Sequence, residues 1–258
     1  MKAAIILFIC FSILSAATAQ SGVVPVFSSG NYYQVRAQLI EKSSGLPAVG
    51  VHAFVSVPGP WFQFNTATSD QSGTLTFVLK NMDQPAQLIF QTGAKADSTY
   101  LFHLDPDFVK PHPLPAGTDS FPVYDTTRFY GRPDKTYLLD AYTRFPTMEE
   151  VFREFVFEVR ARKSGTDFQL SVLDVPFRTY FEKKPLVLLD GIPIEDMNQV
   201  MALDPLKLQK IEVVGHKYYY GSMVFTGIIS LFSYKGDLAG YTLPAGAMVK
   251  DFDGRIAK

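Results

Sequence analysis

Residues 185–235 constrain the fold of this chain most strongly, because their apolar runs are short and are separated by turn-forming residues. The run 186–189 stops at Asp190-Gly191, and both residue types tolerate the positive φ of a tight turn. The pattern beyond this turn predicts, in order, a short strand, a helix and two further strands: 192–194, 197–203, 211–214 and 227–234. Short runs of this kind are typical of a small sheet covered by a helix.

Residues 1–19 have the pattern of a targeting segment that is removed on export. Lys2 supplies the positive start, 3–14 is apolar, and Ala17-Thr18-Ala19 fits a small-x-small cleavage site. The apolar run is shorter than the ~20 residues of a membrane-spanning helix, so we expect no transmembrane segment after cleavage. Cys10 is the only cysteine and lies inside this run, so we expect neither a lipid anchor nor a disulfide in the mature protein.

The overall charge argues against one class of partner. The net charge is −1, and binding to nucleic acid needs clustered Lys and Arg to neutralise phosphates. We therefore expect no nucleic-acid partner. Aromatic residues make up 14% of the chain, which favours β structure without naming a ligand.

Residues 20–104 have the pattern of an all-β domain. Alternating apolar runs separated by turn signals predict six strands: 31–40, 49–57, 61–67, 74–79, 87–92 and 99–104. The hairpin pattern here is Thr68, Asp70, Gly73, Leu75 and Phe77. It resembles a hairpin of immunoglobulin-like, macroglobulin-like and carboxypeptidase-regulatory-like domains. That resemblance implies an antiparallel β-sandwich and implies no particular activity.

Residues 105–136 lack periodicity and are rich in proline, so we predict an extended linker that lies partly against both domains. Beyond it, Thr147 and Glu150 have the spacing of a capping box at the start of a helix. The apolar face of this helix comprises Met148, Val151, Phe152, Phe155 and Val156. A hairpin about Ser164-Gly165 follows. We assign 137–236 to an α+β domain, and 237–258 to a polar tail that frays or leads into further sequence.

The order of elements over 148–235 resembles the plug domain of TonB-dependent outer-membrane receptors. The resemblance is carried by Asp190-Gly191 after an apolar strand, by Ile211-Glu212-Val213, by Tyr220-Gly221 and by the glycine-started run 227–231. It implies a plug-like fold at the outer membrane of a Gram-negative bacterium. Because only residues 236–258 follow this region, we expect no receptor barrel and no transport by this chain alone.

Catalytic chemistry has few candidates in this sequence. His103, Asp105, Asp107 and His112 offer nitrogen and oxygen ligands close together in the chain and are a weak metal candidate. The alternative, which we favour, is that they are surface residues where a strand runs into the linker. The mature chain has no cysteine and no Gly-x-Ser-x-Gly elbow. We therefore expect no enzyme and no cofactor.

Two aromatic groups are candidate binding surfaces. Trp61 starts a predicted strand, where it could stack on a sugar or a partner; packing at the sandwich edge is the alternative. Tyr218, Tyr219 and Tyr220 fall in a predicted loop, and in an extended segment they cannot all face inward because neighbours alternate. At least one is expected to be exposed, or covered by another protein or by tyrosines of the linker region: Tyr130, Tyr137 and Tyr142.

The sequence thus predicts an exported two-domain protein, an antiparallel β-sandwich followed by a small α+β plug-like domain. We expect a non-enzymatic role in binding or assembly with a protein partner, in the periplasm or at the outer membrane. One alternative is an accessory component of a nutrient-uptake system that binds a glycan or peptide. Another is a metal-dependent envelope enzyme that uses the cluster from His103 to His112.

Overall fold

The computed structural model describes residues 31–59, 62–82, 84–93, 99–112, 128–221 and 223–255. The described chain is mostly β-strand, as the sequence pattern predicts. The first strands are β1 (Tyr32–Glu41), β2 (His52–Val57), β3 (Gln63–Thr68), β4 (Thr74–Lys80), β5 (Ala86–Thr92), β6 (Tyr100–His103), β7 (Val109–Pro111) and β8 (Lys135–Leu138). The later strands are β9 (Val159–Ser164), β10 (Asp167–Asp174), β11 (Thr179–Tyr180), β12 (Leu186–Leu189), β13 (Ile192–Pro193), β14 (Leu208–Tyr220), β15 (Met223–Ser233) and β16 (Met248–Phe252). The α-helices among the described residues are α1 (Met148–Glu154) and α2 (Met197–Met201).

Two antiparallel sheets form the predicted β-sandwich. In the first sheet β4 pairs with one edge of β1, and β6 and β7 share the other edge. The second sheet has the order β16-β5-β2-β3. Alternate residues of both sheets fill the core between them, including Val35, Leu39, Val55, Phe77 and Phe90. The period-two pattern of β1 and β4 follows from this burial of one face.

Two predicted boundaries are wrong. The linker prediction for 105–136 included β7, which pairs with β1, and the start of β8, which pairs with β14. The tail prediction for 237–258 included β16, which pairs with β5 and buries Phe252 in the sandwich core. Most of β16 is exposed or half-buried, so the sequence of this edge strand resembles that of a polar tail. Residues 128–240, which we name the second unit, are therefore inserted between β7 and β16 of the sandwich.

A mixed five-stranded sheet forms the centre of the second unit. Its order is β13-β12-β15-β14-β8, with β12 and β15 parallel and the other pairs antiparallel. One face is covered by α1, α2 and the hairpin β9–β10, which β11 extends to three strands. The buried residues between them include Val151, Phe152, Val172, Ile211 and Leu231.

Both helices begin next to a residue whose side chain caps the first turn. The Oγ1 of Thr147 accepts a hydrogen bond from the Glu150 amide at 3.3 Å and donates one to the Glu150 carboxylate at 2.6 Å. Asp196 caps α2 through its Oδ1, which accepts from the Asn198 amide at 2.9 Å. Such caps satisfy amides that have no partner within the helix. The predicted helix starts and the predicted hairpin about Ser164-Gly165 are confirmed.

The second face of the mixed sheet packs on the outer face of the second sandwich sheet. A third apolar core fills this layer: Phe54, Phe62, Phe64, Tyr130, Leu186, Leu188, Val214, Phe225, Ile228 and Phe232. Phe54 and Val55 are neighbours on β2 and face opposite cores, because side chains alternate across a strand. The order of layers is thus first sheet, second sheet, mixed sheet, and then helices with the small hairpin.

Candidate functional site

The three consecutive tyrosines lie at the end of β14 and not in the predicted loop. β14 and β15 stay paired up to Tyr220 and Met223, and Gly221, which follows Tyr220, adopts a φ of +58° that suits a tight turn. Strand alternation places Tyr218 and Tyr220 on the side that packs against the third core, while Tyr219 points the other way.

Tyr218 and Tyr220 are held by internal hydrogen bonds. The Tyr220 hydroxyl donates to the Phe64 carbonyl at 2.9 Å and accepts from Asn65 Nδ2 at 3.2 Å. The Tyr218 hydroxyl donates to the carbonyl of Phe129. The Phe129 ring centroid lies 4.9 Å from those of both Phe64 and Tyr220. We name Phe64, Phe129, Tyr218 and Tyr220 the aromatic latch, because they join β3, β14 and the segment that leads into β8.

The prediction that tyrosines of the linker region cover the three consecutive tyrosines is correct for one of them. Tyr130 shares the third core with Tyr218 and Tyr220. Tyr137 and Tyr142 instead pack on the helix side, where the Tyr142 ring stacks on Phe155 at 4.7 Å between centroids. Sequence reasoning missed Phe129, which has no periodic neighbours that would mark it as buried.

Burial also sets the acid–base behaviour of the latch. It raises the pKa of Tyr218 to about 12. It likewise raises the pKa of Tyr220 above the ordinary value, since a buried phenolate would lose its hydration. Both phenols therefore stay neutral and can donate their hydrogen bonds at physiological pH.

Tyr219 lies on the opposite, outward face of the hairpin. Its side chain is 61% exposed, and its cross-strand neighbour Val224 is 51% exposed. These two side chains form an apolar and aromatic pair at the end of a hairpin that the latch holds from behind. We name Tyr219 and Val224 the hairpin surface.

A buried ionic cluster lies beside the latch. Glu212 is buried, and its carboxylate contacts Arg128 Nη1 at 2.9 Å and Lys210 Nζ at 2.8 Å. Tyr130 donates its hydroxyl to the other carboxylate oxygen at 2.8 Å. Both cations lie over the Phe232 ring, 4.7 Å and 4.1 Å from its centroid. Burial, with the charge of Glu212 second, raises the pKa of Tyr130.

This cluster fixes structure more readily than it performs chemistry. Both oxygens of the Glu212 carboxylate already have partners within the fold, namely two cations on one oxygen and the Tyr130 hydroxyl on the other. Arg128 and Tyr130 precede β8, so the cluster attaches the segment that leads into this strand to the mixed sheet. The sequence motif Ile211-Glu212-Val213 marked the strand but not these partners.

The Asp190-Gly191 turn has a structural role. The buried Asp190 carboxylate accepts hydrogen bonds from the Ser233 amide at 2.8 Å, the Ser233 hydroxyl at 2.6 Å and the Leu238 amide at 3.0 Å. Gly191, with φ of +89°, lies against the Phe62 ring, where a Cβ would come within 2.3 Å. The turn thus joins β12 to the end of β15 and to the sandwich.

The metal candidate residues do not gather into a site. Asp107 pairs with Lys110 at 2.8 Å, and this hydrogen bond lowers the pKa of Asp107. His112 is tied to β1 through its amide, which donates to the Tyr32 carbonyl at 2.8 Å. Within the described residues, which include His103 and Asp105, no group of three His, Cys, Asp or Glu side chains is placed to hold a metal ion. Trp61, the other aromatic candidate, lies outside the described residues.

Only the fold defines the class of this protein, because the comparisons with known proteins found no match. No protein-family model, no curated protein and no solved structure matches the chain. In the part of the chain that the structure describes, no helix has the length and apolar character needed to cross a bilayer. The class is therefore that of a mostly β protein built from several antiparallel sheets, including a β-sandwich.

Proposed function

We propose that this protein is a non-enzymatic binding or assembly component at the outer membrane of a Gram-negative bacterium. The observation that carries the proposal is the hairpin surface: Tyr219 and Val224 are exposed side by side while the latch holds the hairpin from behind. Tyrosine supplies a large amphipathic contact at low entropic cost and is enriched among the residues that dominate protein interfaces. The signal-like 1–19 segment and the resemblance of 148–235 to receptor plug domains support the location.

The hairpin surface is suited to a protein partner because it projects from a supported strand end and is not enclosed by other side chains. An exposed apolar pair of this kind can insert into a complementary pocket without reorganising the fold that holds it. The metal-dependent enzyme is not proposed further, because its four candidate residues are not grouped in the described structure.

The test is site-specific photo-crosslinking in intact envelopes. A crosslinker at position 219 should give an adduct with an outer-membrane protein, and Tyr219→Ala should weaken co-purification of that protein at least about tenfold, as expected for a dominant interface residue. Leu138→Ala is the matched control, since Leu138 is an exposed apolar residue on the edge strand of the same sheet. A protein that stays monomeric and alone in envelope extracts, or equal adducts from positions 138 and 219, would contradict the proposal.

A further inference from the structure

A surface groove of about 250 Å³ lies between α1 and β9, on the helix side of the mixed sheet. Phe152, Val159 and Ala161 provide its apolar lining, and Phe157 adds a ring that is 68% exposed. Tyr180 of β11 completes one wall. The groove is separate from the hairpin surface and belongs to different strands.

Arg160 is the cation that this groove presents. Its guanidinium carbon lies 4.0 Å from the centroid of the Tyr180 ring, and the Tyr180 hydroxyl donates to the Phe157 carbonyl at 3.0 Å. The ring is therefore fixed, and it orients the guanidinium stacked upon it.

Arg160 has no ionic partner among the described residues, and its buried Nε–H has no acceptor there. Its neighbour in the groove, Arg153, already pairs with Glu154 at 2.8 Å. A buried charged donor without an acceptor is unfavourable, and the contact with the Tyr180 ring offsets this only in part. The two Nη groups of Arg160 also have no anion among the described residues, and they could hold one carboxylate-like group with two parallel hydrogen bonds.

We propose that this groove binds the carboxyl-terminal residue of a peptide, with its carboxylate on Arg160 and its apolar side chain against Phe157 and Val159. The carboxyl-terminal residue of a chain carries a carboxylate and a side chain on the same carbon, which matches one cation beside one apolar lining. The volume is below the usual range for drug-sized ligands and fits one or two residues. The charged residues that line the groove are Glu149, Arg153 and Arg160, so one positive charge is left over, which favours a single carboxylate over a run of acidic side chains.

The experiment measures fluorescence anisotropy of labelled hexapeptides with the full mature chain. One peptide ends in Phe with a free carboxylate, the second is its amide, and the third has an internal Glu-Phe pair with an amidated end. The free acid should bind at least about tenfold more tightly than either amidated peptide. The simple amide loses the charge-assisted pair, and the internal Glu carries its carboxylate on a different carbon from the apolar side chain.

Matched variants locate the effect. Arg160→Gln should weaken binding of the free acid at least about tenfold, and Arg160→Lys should restore part of it, since Lys keeps the charge but not the fork. Arg162→Gln is the control, two residues along on the same face of β9, and should change affinity less than about twofold. Circular dichroism melts establish that each variant is folded.

Several results would overturn the inference. The first two are equal binding of the free acid and the amide, and no binding of the free acid at millimolar concentration. Equal binding of the internal Glu-Phe peptide would assign the groove to a side-chain carboxylate instead. If Arg162→Gln lost as much affinity for the free acid as Arg160→Gln, the binding would be due to general charge attraction. None of these outcomes bears on Tyr219, so the two proposals fail separately.

Discussion

Gly191 illustrates how a single residue joins the sandwich to the second unit. Its φ of +89° lies in a region where a side chain is strained, and the space that a Cβ would need is occupied by Cβ, Cγ and Cδ2 of Phe62. The adjacent Asp190 also has a positive φ, and its three hydrogen bonds hold the turn against the end of β15. Close packing and backbone conformation therefore both select glycine at position 191.

We expect Gly191→Ala to lower the free energy of unfolding by about 3 kcal/mol, from backbone strain and from overpacking against Phe62 together. Gly165→Ala is the matched control: Gly165 has a φ of +62°, but no atom lies within 4 Å of the position that a methyl group would take, so only the strain of about 1 kcal/mol applies. Denaturant unfolding of both variants measures the difference. Equal losses would show that Phe62 moves aside and that contact is not what selects glycine.

At the level of the secondary-structure elements, the aromatic latch fixes the β14–β15 hairpin to the segments beside it. Tyr218 and Tyr220 each donate their hydroxyl to a main-chain carbonyl of another segment, so β14 is tied both to β3 and to the residues before β8. Tyr219 is left on the outer side by the same alternation. Of the three consecutive tyrosines, two thus hold the hairpin in place and the third stays exposed on its outer face.

The latch should make the protein sensitive to alkali. The folded state raises the pKa of Tyr218 from 10.0 to about 12 through burial, so it favours the protonated phenol. The stability this contributes is complete below pH 10 and is lost as pH rises from 10 through 12. Unfolding midpoints measured across this range should fall with pH, and less steeply in Tyr218→Phe.

Tyr219→Phe provides the control for the alkaline titration, because this exposed side chain is not part of the latch. Its stability should follow that of the parent chain at every pH. If Tyr218→Phe shows the same slope above pH 10 as the parent, burial of that phenol is not the source of the sensitivity.

In the molecule as a whole, the sandwich is closed by a strand that follows the inserted second unit. β16 pairs with β5 at an edge of the second sheet, and Phe252 packs edge-on to Phe108 with 6.0 Å between ring centroids. The sandwich and the second unit also share the third apolar core. Stability of the sandwich therefore depends on residues from both sides of the insertion.

We expect Phe252→Ala to destabilise the protein by about 3 kcal/mol, the usual cost of removing a buried aromatic ring. Val249→Ala on the same strand is the control, because Val249 is exposed and should change stability by less than about 1 kcal/mol. Removal of residues 248–258 should lower the thermal midpoint further. A truncated chain as stable as the parent would show that β16 does not complete the sandwich.

Local patterns predicted what depends on neighbours in sequence. The alternation in β1 and β4, the Thr147 cap and the Ser164-Gly165 hairpin could all be recognised, because each involves residues only a few positions apart. β7 was missed because it is only three residues long, and β16 because Phe252 is its one buried residue. The His103 to His112 cluster shows the converse, because closeness in sequence did not bring its side chains together.

The order of residues alone establishes that this chain is rich in short strands, where its first helix begins, and that three consecutive tyrosines must divide between two faces. The folded chain was needed to show which carbonyls receive Tyr218 and Tyr220, that Arg128 and Lys210 neutralise Glu212, and that Arg160 stacks on Tyr180 without an anion. The physical reason is how far apart in the sequence the interacting residues lie. Strand period and helix caps are set by adjacent residues, whereas burial, charge pairing and grooves arise where distant segments meet.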